Sequence, residues 1–221
     1  AVHPEISTVV LNVNERKTSM VLGARNITLY GKGYIEDELC GCRFRISPTS
    51  FYQINPAQTE KLYKTAMMLA RLNKRNVVVD AYCGIGTIGM VAAKTVKEVI
   101  GVEIVEDAVE AARENAKLNE LDNCEFIAGD VLQVLDTLAD KPDVIVVDPP
   151  RAGINYKALP KILKYGVDQI LYISCNPKTL VENLRFMEEH GYVIGDIKAY
   201  DNFPFTAHVE TVCLMSRVEG K

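Results

Sequence analysis

The sequence has no tryptophan, only three histidines, and six cysteines. No two cysteines form a Cys-x-x-Cys pair, so neither the thiols nor the histidines offer the spacing of a zinc site. Cys40, Cys42, Cys83, Cys124, Cys175 and Cys213 are too scattered for a disulfide framework. Free thiols point to the reducing cytoplasm. No apolar run approaches the ~20 residues of a membrane helix. The opening Ala-Val-His-Pro-Glu-Ile lacks the basic-then-apolar order of a signal peptide. What is present is ordinary globular usage: 221 residues, 48% hydrophobic and 24% charged. That excludes a disordered tail, a fibre or a coiled coil. The length suits one large domain, or one domain with a piece of another.

A net charge of −4 argues at first against a nucleic-acid partner. Its distribution is uneven. Residues 1–75 carry 11 Lys/Arg against 6 Asp/Glu, and residues 76–221 carry 14 against 23. A basic front on an acidic body fits polyanion contact at one end, and it also fits ordinary surface variation.

Two regimes divide the chain. Residues 5–47 alternate apolar and polar side chains between glycines, which predicts short antiparallel strands. A β unit that starts so abruptly is expected to be a piece of something larger. A helix is expected from residue 56, with Asn55 as its cap and Pro56 in its first turn. From residue 76 the pattern becomes strand, loop, helix, repeated. Strands are expected at 77–81, 98–103, 124–127, 143–148 and 169–174. The intervening helices are expected at 87–94, 105–119, 131–138, 157–164 and 177–189. Val144-Ile145-Val146-Val147 is apolar on both faces, as in the middle of a parallel sheet. Two further strands, 192–199 and 208–215, have a short connection, so one of them runs antiparallel.

Ligands of such sheets bind beyond the carboxyl ends of the strands. After the first strand comes Asp80-Ala81-Tyr82-Cys83-Gly84-Ile85-Gly86-Thr87-Ile88-Gly89, a G-x-G-x-x-G turn that lets a ligand approach the backbone. After the second comes Glu103, placed to accept hydrogen bonds from two ribose hydroxyls. After the third comes Asp130, which suits either an adenine amino group or a helix cap. The fourth is followed by Asp148-Pro149-Pro150-Arg151-Ala152-Gly153, where two prolines stiffen the backbone beside an acid. The fifth is followed by Ser174-Cys175-Asn176-Pro177. This puts the Cys175 sulfur at a helix start, where a thiol pKa is lowered. Cys175 is therefore the candidate nucleophile, and the other cysteines read as structural.

These residues resemble the catalytic region of the RNA uracil-5-methyltransferase family, which acts on transfer RNA and 23S ribosomal RNA. The resemblance runs from about residue 43 to the end. It is carried by Phe44-Arg45-Ile46-Ser47-Pro48, Ser50-Phe51-Tyr52-Gln53-Ile54-Asn55, the 80–87 turn, Asp148-Pro149-Pro150-Arg151, Tyr172-Ile173-Ser174-Cys175-Asn176-Pro177 and Asp201-Asn202-Phe203-Pro204-Phe205-Thr206-Ala207-His208-Val209-Glu210. It implies an α/β, seven-stranded, Rossmann-like fold with a small antiparallel β fragment in front. Residues 1–52 would be a partial, RNA-facing β domain and 53–221 the methyltransferase domain. The resemblance implies S-adenosyl-L-methionine as methyl donor. It implies cofactor contacts at Gln53, Tyr82, Gly84, Glu103, Asp130 and Asp148, Cys175 as nucleophile and Glu210 as general base. Phe51 would pack near the target base. No metal is expected. Many members carry a four-cysteine iron–sulfur cluster, but Cys40 and Cys42 lie outside that motif, so no cluster is expected here. The partner is RNA, not DNA or a membrane, and the chain is expected to be a monomer.

The chemistry explains the residue types. Uracil C5 is a poor nucleophile until a thiolate adds to C6, which splits one hard step into easier ones. The C5 proton must then leave, and a desolvated carboxylate suits that task. His208 lies two residues from Glu210 and competes for this role on residue chemistry alone. The target base must be flipped out or single-stranded, and Phe51 could stack on it. Arg43 and Arg45 are candidate phosphate contacts. Ribosomal RNA is preferred as substrate for the closer look of its motifs. The alternatives are a transfer RNA uracil-5 enzyme, an exocyclic-amine methyltransferase, a cytosine-5 enzyme, a dehydrogenase and a binding module without activity.

Overall fold

Val144–Val147 is buried at every position and takes the centre of a seven-stranded sheet. The computed structural model describes residues 3–17, 21–138 and 141–218. Its elements, in chain order, begin with strands β1 (Thr8–Val13), β2 (Arg25–Gly31), β3 (Ile35–Leu39) and β4 (Cys42–Ile46), then helix α1 (Pro56–Leu69). The alternating region follows: β5 (Val77–Asp80), α2 (Thr87–Ala93), β6 (Glu98–Glu103), α3 (Glu106–Leu118), β7 (Cys124–Ala128) and α4 (Val131–Thr137). It continues with β8 (Val144–Val147), α5 (Leu159–Lys164), β9 (Gln169–Ser174), α6 (Pro177–Glu189), β10 (Tyr192–Tyr200) and β11 (Glu210–Arg217).

The large sheet has the order β10-β11-β9-β8-β5-β6-β7. β5 to β9 are mutually parallel, and β11 runs antiparallel to both its neighbours. Strand side chains alternate between faces. Val78, Val144, Val146, Leu171 and Ile173 therefore pack with α1, α2 and α3 on one side. Val79, Ile145, Val147, Ile170 and Tyr172 pack with α4, α5 and α6 on the other. All five parallel strands end at one edge of the sheet. Because β11 is reversed, its first residue, Glu210, comes to that same edge.

The expected antiparallel region forms two hairpins, β1–β2 and β3–β4. The second docks on the helical layer: Leu39, Cys42, Phe44 and Ile46 are buried in the same core as Leu62, Tyr63 and Ala66 of α1. Two asparagines one turn apart, Asn115 on α3 and Asn119 capping its C-terminus, act as its missing strand neighbour. Asn119 accepts from the Arg43 N–H (2.7 Å) and donates to its carbonyl (2.6 Å). Asn115 does the same for Arg45, at 2.8 and 3.3 Å. These clasps hold β4 in place, so that the segment after it, 47–55, reaches the edge where the parallel strands end.

The last strand begins later than expected, at Glu210 and not at 208. The Phe203–Thr206 turn, closed by the Thr206 N–H on the Phe203 carbonyl (3.2 Å), keeps the preceding residues off the ladder. Likewise α5 begins at Leu159, because Asn155 accepts from the Lys157 N–H and ties 155–158 into a turn.

Candidate active site

The glycine turn closes tightly after β5. Gly84 and Gly86 have φ of 53° and 87°, in the left-handed region that other residues avoid. A Cβ on Gly86 would come within 2.6 Å of Met90 Cε, whereas one on Gly84 would meet nothing within 4 Å. Gly86 lets the helix pack, and Gly84 leaves open space over the loop. Glu103 closes the far side: its carboxylate accepts from the Gly84 N–H at 3.3 Å and from the Val105 N–H at 3.0 Å. That fixes an acidic side chain beside the open loop, with lone pairs left for a diol.

Asp130 caps α4, accepting from the Leu132 N–H at 2.8 Å. Its exposed carboxylate still stands near Tyr82, whose phenol pKa is pushed up by burial and by Asp130 and Glu103. Tyr82, Gly84 and Asp148 line one narrow cleft with Phe51 and Gln53. Gln53 is buried, and its Oε1 accepts from Asn202 Nδ2 at 2.8 Å. Phe51 stands 73% exposed at the cleft mouth.

On the other side of β8 the register of β9 and β11 brings Cys175 and Glu210 to one edge. Thr211 faces Ser174 across the ladder, and its hydroxyl donates to the Ser174 carbonyl at 3.0 Å. The next residues outward are Glu210 and Cys175. Asn176 caps α6 with Pro177 in the first turn, as its sequence predicts, and its side-chain amide also donates to the Arg151 carbonyl at 3.0 Å. Cys175 is half-buried and Glu210 is 2% exposed.

The expected lowering of the Cys175 pKa does not hold. Burial pushes the thiol up, and the carboxylates of Glu210 and Asp148 push it further; Arg151 pulls it only partway back. The helix-terminus reasoning considered one element, while two acids converge on the sulfur from β8 and β11. Burial also raises Glu210. It raises Asp148 to about 8, with Glu210 and Asp80 adding to the effect.

Of the two candidate bases, His208 is engaged elsewhere. Its Nδ1 accepts from Arg151 Nη2 at 2.8 Å at the rim, and its ring meets Phe203 edge-on. Glu210 instead lies inside, and its Oε2 has no hydrogen-bond partner. Arg43 and Arg45 do not line the cleft. Arg43 reaches the Leu118 carbonyl at the end of α3, and Arg45 pairs with Glu36 over the Tyr34 ring.

Sequence reasoning assigned no role to Asp80 or Asn202. Asp80 is fully buried; one oxygen accepts from the Gly89 N–H at 2.9 Å, and the other has no partner. Burial raises its pKa to about 7. Its place at the end of the first strand was the available signal. Asn202 is buried and carries Gln53; its only sequence signal is its place in the segment leading to Glu210.

Asp148 lines the cleft, and the buried Asp80 and Glu210, each with one unpartnered oxygen, stand near enough to raise its pKa, so the cleft carries the potential that suits a cation. No basic side chain lines it, and the Gly84 N–H of the loop is already taken by Glu103. This sheet order and this row of strand-end acids define a Rossmann-like methyltransferase domain. The family model for tRNA (uracil-5-)-methyltransferase matches residues 21–218. An uncharacterized RNA methyltransferase of Clostridium tetani is 49% identical over 205 residues, covering 93% of this chain and 45% of its own length. Another, from Enterococcus faecalis, is 42% identical over 217 residues, covering 97% and 48%. Among solved structures, a Pyrococcus abyssi tRNA (uracil-54, C5)-methyltransferase in complex with S-adenosyl-L-homocysteine superposes with a TM-score of 0.79. It is 30% identical, over 95% of this chain and 50% of that one. The chain belongs to the tRNA (uracil-5-)-methyltransferase family. It spans about half the length of the curated relatives it matches.

Proposed function

We propose that this protein transfers a methyl group from S-adenosylmethionine to C5 of a uridine in RNA. The observation that carries this is the convergence of Cys175 and the buried carboxylate of Glu210, one oxygen of it unpartnered, at one edge of the sheet beside the cleft that Asp148 lines. The donor fits that cleft and its rim: Glu103 and Gly84 suit the ribose, Asp130 and Tyr82 the adenine, and Gln53 and Asp148 the polar and cationic end, with the buried Asp80 behind them. When bound, the donor supplies an electrophilic methyl group and a positive charge among the acids.

The side chains divide the remaining work. Cys175 Sγ adds to C6 as thiolate, and the electron pair it displaces makes C5 nucleophilic. Arg151 opposes the acids that hold the thiol protonated. After C5 is methylated, Glu210 removes the C5 proton; the pair left behind re-forms the C5–C6 double bond and expels Cys175. Burial keeps Glu210 basic enough for this. Arg151 and His208 stay at the rim, and Phe51 stands where a flipped base enters. We assign the chemistry to residues 53–221 and RNA contact to 1–52, in the cytoplasm.

For the RNA class, the motif resemblance favours 23S ribosomal RNA. A second reading, transfer RNA, rests on the relative from Pyrococcus abyssi, which is named for a tRNA uridine. Mapping 5-methyluridine in both RNAs from cells with and without the gene decides between them. Loss of a ribosomal site supports the first reading, and loss of a tRNA site the second. Loss at neither, with a modified exocyclic amine missing instead, refutes uracil methylation.

A further inference from the structure

The loop joining β10 to β11, residues 201–209, overhangs the edge where Cys175 and Glu210 meet. At its tip Phe205 is fully solvated, with a relative exposure of 108%. Its φ is 65°, a left-handed conformation that bulky residues avoid. The turn beneath it is well built: the Thr206 N–H and hydroxyl both donate to the Phe203 carbonyl, at 3.2 and 2.7 Å, and the His208 N–H donates to the Thr206 hydroxyl at 3.1 Å. A ring held outward in a strained conformation, touching no core, does nothing for the fold. Ile54, 77% exposed, and Phe51, 73% exposed, flank the same opening. Between Ile54 and the loop runs a groove of about 580 Å³, lined by Asn55, Asn202, Phe203 and Pro204. The groove and the catalytic cleft share one wall, the Gln53–Asn202 hydrogen bond.

We infer that Phe205 is a stacking platform for a nucleobase flanking the target uridine, with the groove between Ile54 and Phe203 holding the adjoining single-stranded RNA. This rests on the RNA reading above. Single-stranded RNA is the occupant because the patch is contiguous with the catalytic cleft, combines exposed apolar rings, and has the Arg151 guanidinium at its edge for a phosphate. Aromatic rings stack on bases with little sequence preference, which suits a flanking nucleotide more than the target itself. Phe51, which lines the cleft, is left for the target.

The test uses the whole protein and single-stranded RNA with 2-aminopurine on either side of a uridine. Wild type quenches the fluorophore at one neighbour on binding. F205A loses that quench and binds the RNA about 5- to 150-fold more weakly, the range for one base–aromatic stack, while F205W retains both. Because F205A alters an exposed loop tip, circular dichroism matching wild type confirms that it folds. An unchanged quench and affinity in F205A overturns the inference. So does a wild-type dimer that F205A dissociates with the quench intact, since the patch then belongs to a second copy. The binding readout does not depend on methyl transfer. A protein that quenches through Phe205 but methylates no uridine therefore retains the platform and loses the uracil reading.

Discussion

Asp80→Asn should gain stability relative to wild type as pH rises. Asp80 is completely buried; one oxygen holds the Gly89 N–H and the other has no partner. Burial raises its pKa from 3.8 to about 7. Below pH 3.8 the folded and unfolded chains both hold the proton, and Asp80 contributes no penalty. Between pH 3.8 and about 7 the folded chain still holds a proton that the unfolded chain has lost, so stability falls as pH rises. The slope is about 1.4 kcal/mol per pH unit and flattens near the folded pKa, so the loss between pH 5 and pH 7 is roughly 2 kcal/mol. Asparagine keeps the acceptor for Gly89 and cannot ionise. Its extra amide N–H groups, unsatisfied in that pocket, cost about 1–3 kcal/mol at every pH. Wild type already carries a penalty of roughly 1.7 kcal/mol at pH 5, so the variant should lie within about 1.5 kcal/mol of it there and gain roughly 2 kcal/mol on it by pH 7. Urea denaturation of both proteins, without methyl donor, at half-unit pH steps gives the difference directly. A difference that stays constant from pH 5 to pH 7 refutes a protonated Asp80 in the folded state.

Glu210→Gln keeps the shape of the base and removes its lone-pair basicity. Turnover should fall about 10²- to 10⁴-fold, while an RNA–protein adduct already carrying the methyl group accumulates on denaturing gels. Unimpaired turnover would return the role to His208. Glu103→Gln leaves an acceptor for the Gly84 N–H but loses the carboxylate that faces the open loop. Calorimetry with S-adenosylhomocysteine should show affinity reduced about tenfold or more, on the order of one charge-assisted hydrogen bond. Unchanged affinity removes Glu103 from the site.

The sheet was legible where side-chain pattern and topology agree. Val144–Val147, apolar on both faces, had to be central, and the short link between the last two strands required one reversal. The α6 cap at Asn176-Pro177 follows from local chemistry alone. What the sequence hid is tertiary. The Asn115 and Asn119 clasps on β4 depend on how a hairpin meets a helix 70 residues away. The Cys175 pKa depends on carboxylates from β11 and the end of β8, which no local rule brings to the sulfur. Asp80 reads in sequence as the last residue of a strand, and only its burial exposes the unpaired oxygen. Glu210 was reached through the family motif, since residue type and spacing alone left His208 open; that His208 meets Arg151 at the rim while Glu210 opens β11 in the interior is tertiary information.

Covalent attachment of Cys175 to the pyrimidine is what the account depends on most. Fluorine at C5 cannot leave as a proton does, so 5-fluorouridine RNA incubated with methyl donor should arrest the protein as a methylated conjugate. Peptide mapping should place the RNA on Cys175, and Cys175→Ala should form none. An enzyme that methylates its natural RNA yet yields no conjugate through Cys175 contradicts the account.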